Sequence, residues 1–152
     1  MSSSSNIRMV DIGGKPVTSR LAVARGNVSM QPKTLSLLKK GRLPKGDVLA
    51  AARVAGIMAA KETYRFIPLC HPLLIEDVNI EFSLDNKTSA VEITATVKGS
   101  GKTGFEMEAL TAVAISGLTI YDMCKTVDRT LALGNIRLVK KSGGKSGTVK
   151  LE

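Results

Sequence analysis

Apolar and polar positions alternate along the chain in two distinct periods, and the change from one to the other marks out the elements. From Val17 to Met30 the pattern is mixed, with β-branched residues, and predicts either a strand pair or one long strand bent around Gly26. Pro32 suits a first helical turn, and Leu35, Leu37 and Leu38 then form one face of a short amphipathic helix that ends at Lys39, Lys40 and Gly41. A basic loop, Arg42 to Gly46, leads to Asp47, a good N-cap for a helix from Val48 to about Glu62. The small residues Ala50, Ala51, Ala52, Ala55 and Gly56 let that helix lie close to a sheet. Ile67 and His71 each precede a proline and are pushed toward extended geometry, so Ile67–Pro72 is a stiff loop. Leu74–Leu84 and Ala90–Lys98 read as the strands of a hairpin turned by Asp85, Asn86 and Lys87. A glycine-rich loop, Gly99 to Gly104, precedes a long helix from about Phe105 to Val127, and Leu131–Val139 forms a last strand. The basic, glycine-rich tail Lys140–Gly147 is expected to stay mobile until an anion orders it. This order predicts an α+β sandwich, with helices packed on one face of an antiparallel sheet.

With 152 residues the chain has the length of a single domain with a real core, and residues 1–8, opening on a serine-rich stretch without an apolar run, are expected to be a flexible N-terminus. The domain proper is expected to span 9–152. No uninterrupted apolar run has the length of a membrane span, which points to no membrane partner and a cytoplasmic location. Cys70 and Cys124 are far apart and neither belongs to a Cys-x-x-Cys pair, so disulfide, redox-motif and metal readings are all poor.

The formal charge of +9 attracts anions, whether nucleic acid, headgroups or a phosphorylated metabolite. Aromatic residues make up only 3% and Trp is absent, which removes the stacking platforms of a single-strand binder and favours the metabolite. A basic α+β domain that binds nucleic acid without turnover is the alternative.

The long helix is apolar on nearly every side, so its ionisable residues need a reason. The bland one is that Asp122 and Lys125 make a helix-face ion pair, that Glu106 and Glu108 complement the dipole at the first turn, and that Met107 and Met123 fill the core. Glu108 and Asp122 are fourteen residues apart and nearly in phase, yet about 21 Å apart along an unbroken axis. Either the helix breaks near Ser116 and Gly117, or its two ends serve different copies of a site in an oligomer; the oligomer is the better reading. Gly101-Lys102-Thr103 and Gly144-Lys145-Ser146 imitate a phosphate-binding P-loop, but Thr96 and Val139 stand where its first glycine belongs. What survives is glycine-rich backbone beside lysine, a chemistry for phosphate contact. Lys45, just before the N-cap Asp47, is placed to share an anion with that helix end. His71 is the only histidine and has no partner for a metal site of the usual kind.

Taken together, Lys45-Gly46-Asp47-Val48, Pro68-Leu69-Cys70-His71-Pro72, Gly101-Lys102-Thr103-Gly104 with Glu106-Met107-Glu108-Ala109-Leu110, Tyr121-Asp122-Met123-Cys124-Lys125 and Lys141-Ser142-Gly143-Gly144-Lys145-Ser146-Gly147 resemble the MoaC family, in order and over nearly the whole chain from Met9. These are the cyclic pyranopterin monophosphate synthases of molybdenum cofactor biosynthesis. The resemblance implies a ferredoxin-like subunit, a homohexamer built as a trimer of dimers, and sites between subunits. It implies a phosphorus–oxygen lyase that converts 3′,8-cyclo-7,8-dihydro-GTP to cyclic pyranopterin monophosphate and releases diphosphate. Carried over by motif, Asp122 is catalytic with Lys45 and Lys125 as acid/base partners, and Leu69, Cys70, His71, Met107 and Glu108 line the substrate site. Arg20 and Lys141 are further contacts for the triphosphate or the purine end. No resident metal or cofactor is implied, and Mg2+ arriving with the triphosphate is compatible with the reading. Lysines among other cations are expected to have lowered pKa values and so to exchange protons near neutrality.

Overall fold

The computed structural model describes residues 5–152; the remainder of the expected flexible N-terminus, 1–4, lies outside the described residues. The elements run β1 (Thr18–Ser29), α1 (Pro32–Lys39), α2 (Val48–Phe66), β2 (Leu74–Asp85), β3 (Ala90–Gly101), α3 (Glu106–Cys124), β4 (Ala132–Ser142) and β5 (Val149–Lys150). All strand pairs are antiparallel, in the order β2-β3-β1-β4-β5. The first four of these, with α2 and α3 as the two connections, form the βαββαβ arrangement of a ferredoxin-like sandwich. α1 and β5 are additions to it.

Strand periodicity decides which face carries the helices. Ala22, Ala24 and Val28 of β1, Val91, Ile93, Ala95 and Val97 of β3 and Ile80 of β2 are all buried and face α2 and α3. Arg25 and Glu81 point to the other face and stay in water. α3 packs on β1, β3 and β4, while α2 lies beside it over β2. By length and apolar composition α3 would pass for a membrane span, but more than half of it is buried and it packs on the sheet and α2, which makes it a core helix.

The helix pair is held at close range by small residues. A β-carbon on Gly56 would stand 2.2 Å from Ser116 Oγ and 2.4 Å from Ile80 Cδ1, so only glycine fits there. Ser116 Oγ donates to the Ala52 carbonyl at 3.0 Å, which ties α3 to α2 without breaking either. α3 is therefore continuous, and the alternative of a break near Ser116 and Gly117 is overturned.

Several expected boundaries shift for physical reasons. β1 is one strand rather than a pair, with irregularities against β4 between Val23 and Ala24 and across Gly26. α2 runs to Phe66 instead of about Glu62, because nothing stops it until Ile67, held extended by Pro68. Gly99–Gly101, expected in a loop, are the end of β3 and pair with Arg20, Ser19 and Thr18. Glycine serves there for close approach, since a β-carbon on Gly99 would meet the Leu74 carbonyl at 2.3 Å and Phe105 Cζ at 2.5 Å. The tail is corrected too: Lys140, Lys141 and Ser142 belong to β4, anchored by β1 on one side, with β5 pairing Lys140 and Lys141 on the other.

Asp128 joins the loop after α3 to the start of α1. Its carboxylate accepts from the Gln31 N–H at 2.9 Å, the Thr34 hydroxyl at 2.8 Å, and the Thr130 N–H and hydroxyl at 2.8 and 2.7 Å. Burial alone would raise its pKa, but these four donors outweigh it and hold the carboxyl at about 2. Because the folded value lies below the ordinary ~3.9, this contribution to stability is complete above about pH 4 and is lost as pH falls toward 2. Chemical denaturation of wild type across that range should show the loss, whereas Asp128→Asn should be destabilised by roughly 1–3 kcal/mol at pH 7 and depend less on acid.

Candidate active site

The last turn of α3 carries Asp122, and its C-cap is Lys125. Lys45 reaches the same carboxylate from the loop between α1 and α2. Lys45 Nζ lies 2.9 Å from Asp122 Oδ2 and 3.3 Å from the Asp122 carbonyl oxygen, and Lys125 Nζ lies 2.9 Å from Oδ1. The i,i+3 ion pair expected from the sequence is thus present, but Asp122 also takes up Lys45, which does not act alone at the start of α2. Hydrogen bonds from Lys45 and then Lys125, reinforced by their charge, hold the Asp122 carboxyl at about 2. The reciprocal effect raises the pKa of Lys125, above all through its bond to Asp122. That corrects the expectation of a lowered lysine pKa: the carboxylate outweighs neighbouring cations, and Lys125 is held as a proton donor. All three side chains remain about half exposed, open to a ligand.

The other end of α3 holds a different chemistry. Glu108, in the first turn, is 3% exposed. Its Oε2 accepts from Cys70 Sγ at 3.6 Å, while Oε1 has no partner at all. Burial pushes the Glu108 carboxyl above its ordinary range. Burial, and then the Glu108 charge, pushes the Cys70 thiol up to about 11, so Cys70 is a thiol donor and not a thiolate nucleophile. The stiff loop between α2 and β2 that presents Cys70 also carries Leu69, exposed, and His71, partly buried. Met107 is 37% exposed on the first turn of α3, so the core-filling reading fails for it and holds only for Met123. A buried carboxyl with one unpartnered oxygen, beside an exposed thioether and a thiol, suits the polar edge of a flat heterocycle.

Beside this lies a cavity of about 550 Å³, walled by Arg20, Thr103, Glu106, Lys141 and the turn 142–146. Lys141 reaches it because β4 carries a bulge. Leu138 pairs with Ala24 and Lys140 with Val23, so Val139 is the extra residue and the following alternation is reversed. Lys141 then shares the helix side of the sheet with its partner Ala22 and bonds Glu106 Oε1 at 3.1 Å. Arg20 Nε donates to the Gly101 carbonyl at 3.0 Å. Gly144, with φ +73°, lies over that guanidinium so closely that a β-carbon would stand 2.3 Å from one of its terminal nitrogens.

The expected site residues therefore fall into two groups. Arg20, Lys141, Cys70 and Glu108, with Leu69, His71 and Met107 nearby in sequence, gather at the start of α3. Lys45, Asp122 and Lys125 gather at its end, about 21 Å away by helical rise. One small molecule does not span that distance within a single chain. Apolar side chains lie exposed on the outer faces of both helices, with Val54 at 57%, Met58 at 60% and Leu118 at 52%. Among the described residues, no group of three His, Cys, Asp or Glu side chains is placed to hold a metal ion. Lys15 at the cavity rim was missed, although a lysine followed by Pro16 just before β1 was the available signal.

Comparison with known proteins shows the family. The model of the MoaC family matches residues 9–144. A cyclic pyranopterin monophosphate synthase of Roseiflexus castenholzii is 59% identical over 145 residues, covering 95% of this chain and 92% of its own. The enzyme of the same name from Chloroflexus aurantiacus is 61% identical over 140 residues, covering 92% and 86%, and that from Pelotomaculum thermopropionicum is 59% identical, covering 92% and 82%. Among solved structures, a de novo designed protein with a ferredoxin fold aligns at a TM-score of 0.45 and 12% identity, over 87% of this chain and 93% of that one. A family match over this span, with relatives near this level of identity over more than nine-tenths of the chain, means that the chain belongs to the MoaC family.

Proposed function

We propose that this chain is a cyclic pyranopterin monophosphate synthase. It converts 3′,8-cyclo-7,8-dihydro-GTP to cyclic pyranopterin monophosphate with release of diphosphate, as a phosphorus–oxygen lyase of the cytoplasm. The observation that carries the reading is the pair of lysines bonded to one carboxylate at the end of α3, Lys45 and Lys125 on Asp122. Ring opening and pterin closure need protons delivered to and taken from nitrogen and carbon. Lys125, its charged form favoured by Asp122, enters as an acid and returns as a base. Asp122 fixes both ammonium groups in place. In the phosphate step a ribose hydroxyl oxygen bonds to the α-phosphorus, the bond from that phosphorus to the bridging oxygen breaks, and diphosphate leaves with that oxygen. The hydroxyl proton passes to a base, and cations of the Arg20 and Lys141 cavity stabilise the departing charge. Glu108 and Cys70 face the heterocycle. No step needs a resident metal.

The two halves of this site sit at opposite ends of α3, so the working site draws the start of α3 from one copy and the end of α3 from another. The exposed apolar side chains of α2 and α3 supply the contact surface, in a homohexamer arranged as a trimer of dimers.

Lys45→Ala, Lys125→Ala and Asp122→Asn should each lower product formation by roughly two to four orders of magnitude with unchanged thermal melting; near wild-type turnover in all three would remove the assignment. For the shared site, Lys141→Ala and Asp122→Asn subunits, each inactive alone, should be unfolded, mixed and reassembled. Statistical mixing then restores about a quarter of the wild-type sites, while a site within one chain restores none. Finally, binding of GTP should weaken only modestly between low and moderate salt. A nonspecific nucleic-acid binder loses about three to five orders of magnitude there, and such a loss would favour that alternative.

A further inference from the structure

Two routes join Asp128 to the cluster of Lys45, Asp122 and Lys125, and together they close a ring. The first runs along the chain. Lys125 caps α3, and the N–H groups of Val127 and Asp128 both donate to the Cys124 carbonyl, so Asp128 is carried as a stiff extension of the helix that ends in Asp122. The two oxygens of its carboxylate then face different parts of the molecule. Oδ1 accepts from the Thr130 N–H and hydroxyl, inside its own loop, whereas Oδ2 accepts from the Gln31 N–H and the Thr34 hydroxyl at the start of α1.

The second route runs through α1. This helix has eight residues, of which Thr34, Leu35 and Leu38 are buried, and its N-cap Gln31 makes no capping bond with its side chain. A helix so short does not hold itself, so its start is fixed from outside, by Asp128 Oδ2. At its end the Gly41 N–H donates to the Leu38 carbonyl and the Arg42 N–H to the Leu37 carbonyl, Leu43 is buried, and the Gly46 N–H donates back to the Leu43 carbonyl. That turn presents Lys45, whose ammonium returns to the carboxylate and carbonyl of Asp122.

The two closures of the ring are unequal. Lys45 and Asp122 are about half exposed, and an ion pair so open to water is too weak to order a loop in which Gly41 and Gly46 must be fixed at φ of +63° and +105°. Asp128 is 3% exposed, and its donors are shielded from competing water. We propose that Asp128 is a positioning residue for the acid/base cluster: through Gln31 and Thr34 it sets α1, and through α1 it holds Lys45 on Asp122. That Lys45 matters to turnover rests on the synthase reading; that Asp128 places it does not.

Steady-state kinetics and amine labelling test this on the assembled full-length protein, well below its melting temperature. Asp128→Asn should lower kcat roughly ten- to a hundredfold with KM little changed, since the cavity of Arg20 and Lys141 is untouched. Combined with Lys45→Ala it should lower kcat no further than Lys45→Ala alone, because Asp128 acts only through Lys45. Thr34→Val, which removes a bond to α1, should lower kcat in the same way but less, and it carries the same readings should Asp128→Asn fail to fold. Thr130→Val, which removes a bond within the loop, should leave kcat unchanged at a comparable loss of stability. In competitive acylation read by mass spectrometry, Lys45 should react several-fold faster in Asp128→Asn than in wild type, relative to Lys98 on β3. Positioning is overturned by wild-type kcat in Asp128→Asn, by losses that multiply with Lys45→Ala, by a Thr130→Val loss equal to that of Thr34→Val, or by unchanged acylation of Lys45. The synthase reading fails separately: wild type that never converts the cyclic substrate sinks it, while faster acylation of Lys45 in Asp128→Asn still upholds the positioning.

Discussion

The close approach of α2 to α3 is the constraint on which the rest of the molecule depends. α3 is apolar around almost its whole circumference, so it must be enclosed by the sheet on one side and by another helix beside it. That enclosure is possible because Gly56 brings no side chain to the contact and Ser116 turns its hydroxyl onto the α2 backbone. With the middle of α3 committed to packing, polar chemistry is left only its ends. Both ends carry ionisable groups, with carboxylates in the first turn and an aspartate between two lysines at the last. The separation of the two charged clusters follows from the division of the helix.

Where a signal is local, the sequence was legible. Asp47 caps α2 through the Ala50 N–H at 3.1 Å, Pro32 opens α1, and Asp85 accepts from the Lys87 and Thr88 N–H groups to turn the hairpin. Each needs only its neighbours within three or four residues. The burial alternation of β2 and β3 was readable for the same reason, and with it the antiparallel sheet. What failed was everything set by distant chain. Gly99–Gly101 look like a loop until Phe105 and the β1 backbone are seen to need the space. The β4 bulge has no mark in its own residues, and it decides the face on which Lys141 appears.

Site residues divide in the same way. Asp122 and Lys125 announce themselves by spacing on one helix, and the motif strings carried the remaining assignments through family resemblance. Their electrostatics were not legible. Lysines crowded among cations suggest depressed pKa values, but a single carboxylate at 2.9 Å reverses the sign for Lys125. The dipole role read for Glu108 gives no sign that one of its oxygens is enclosed without a partner. Sequence position alone does not report enclosure.

The central place of β1 has a consequence for how the protein comes into being. This strand leaves the ribosome first among the elements, yet both its neighbours, β3 and β4, are made much later. Until β3 emerges it waits with two open edges, and the edge that takes β4 stays open until the chain is nearly complete. The cationic wall is complete only when Lys141, from the far end of the chain, pairs in beside Ala22. A chain that ends before β4 thus has its apolar helix without its cationic pocket, so the hydrophobic surface of the domain is made before its charged cavity.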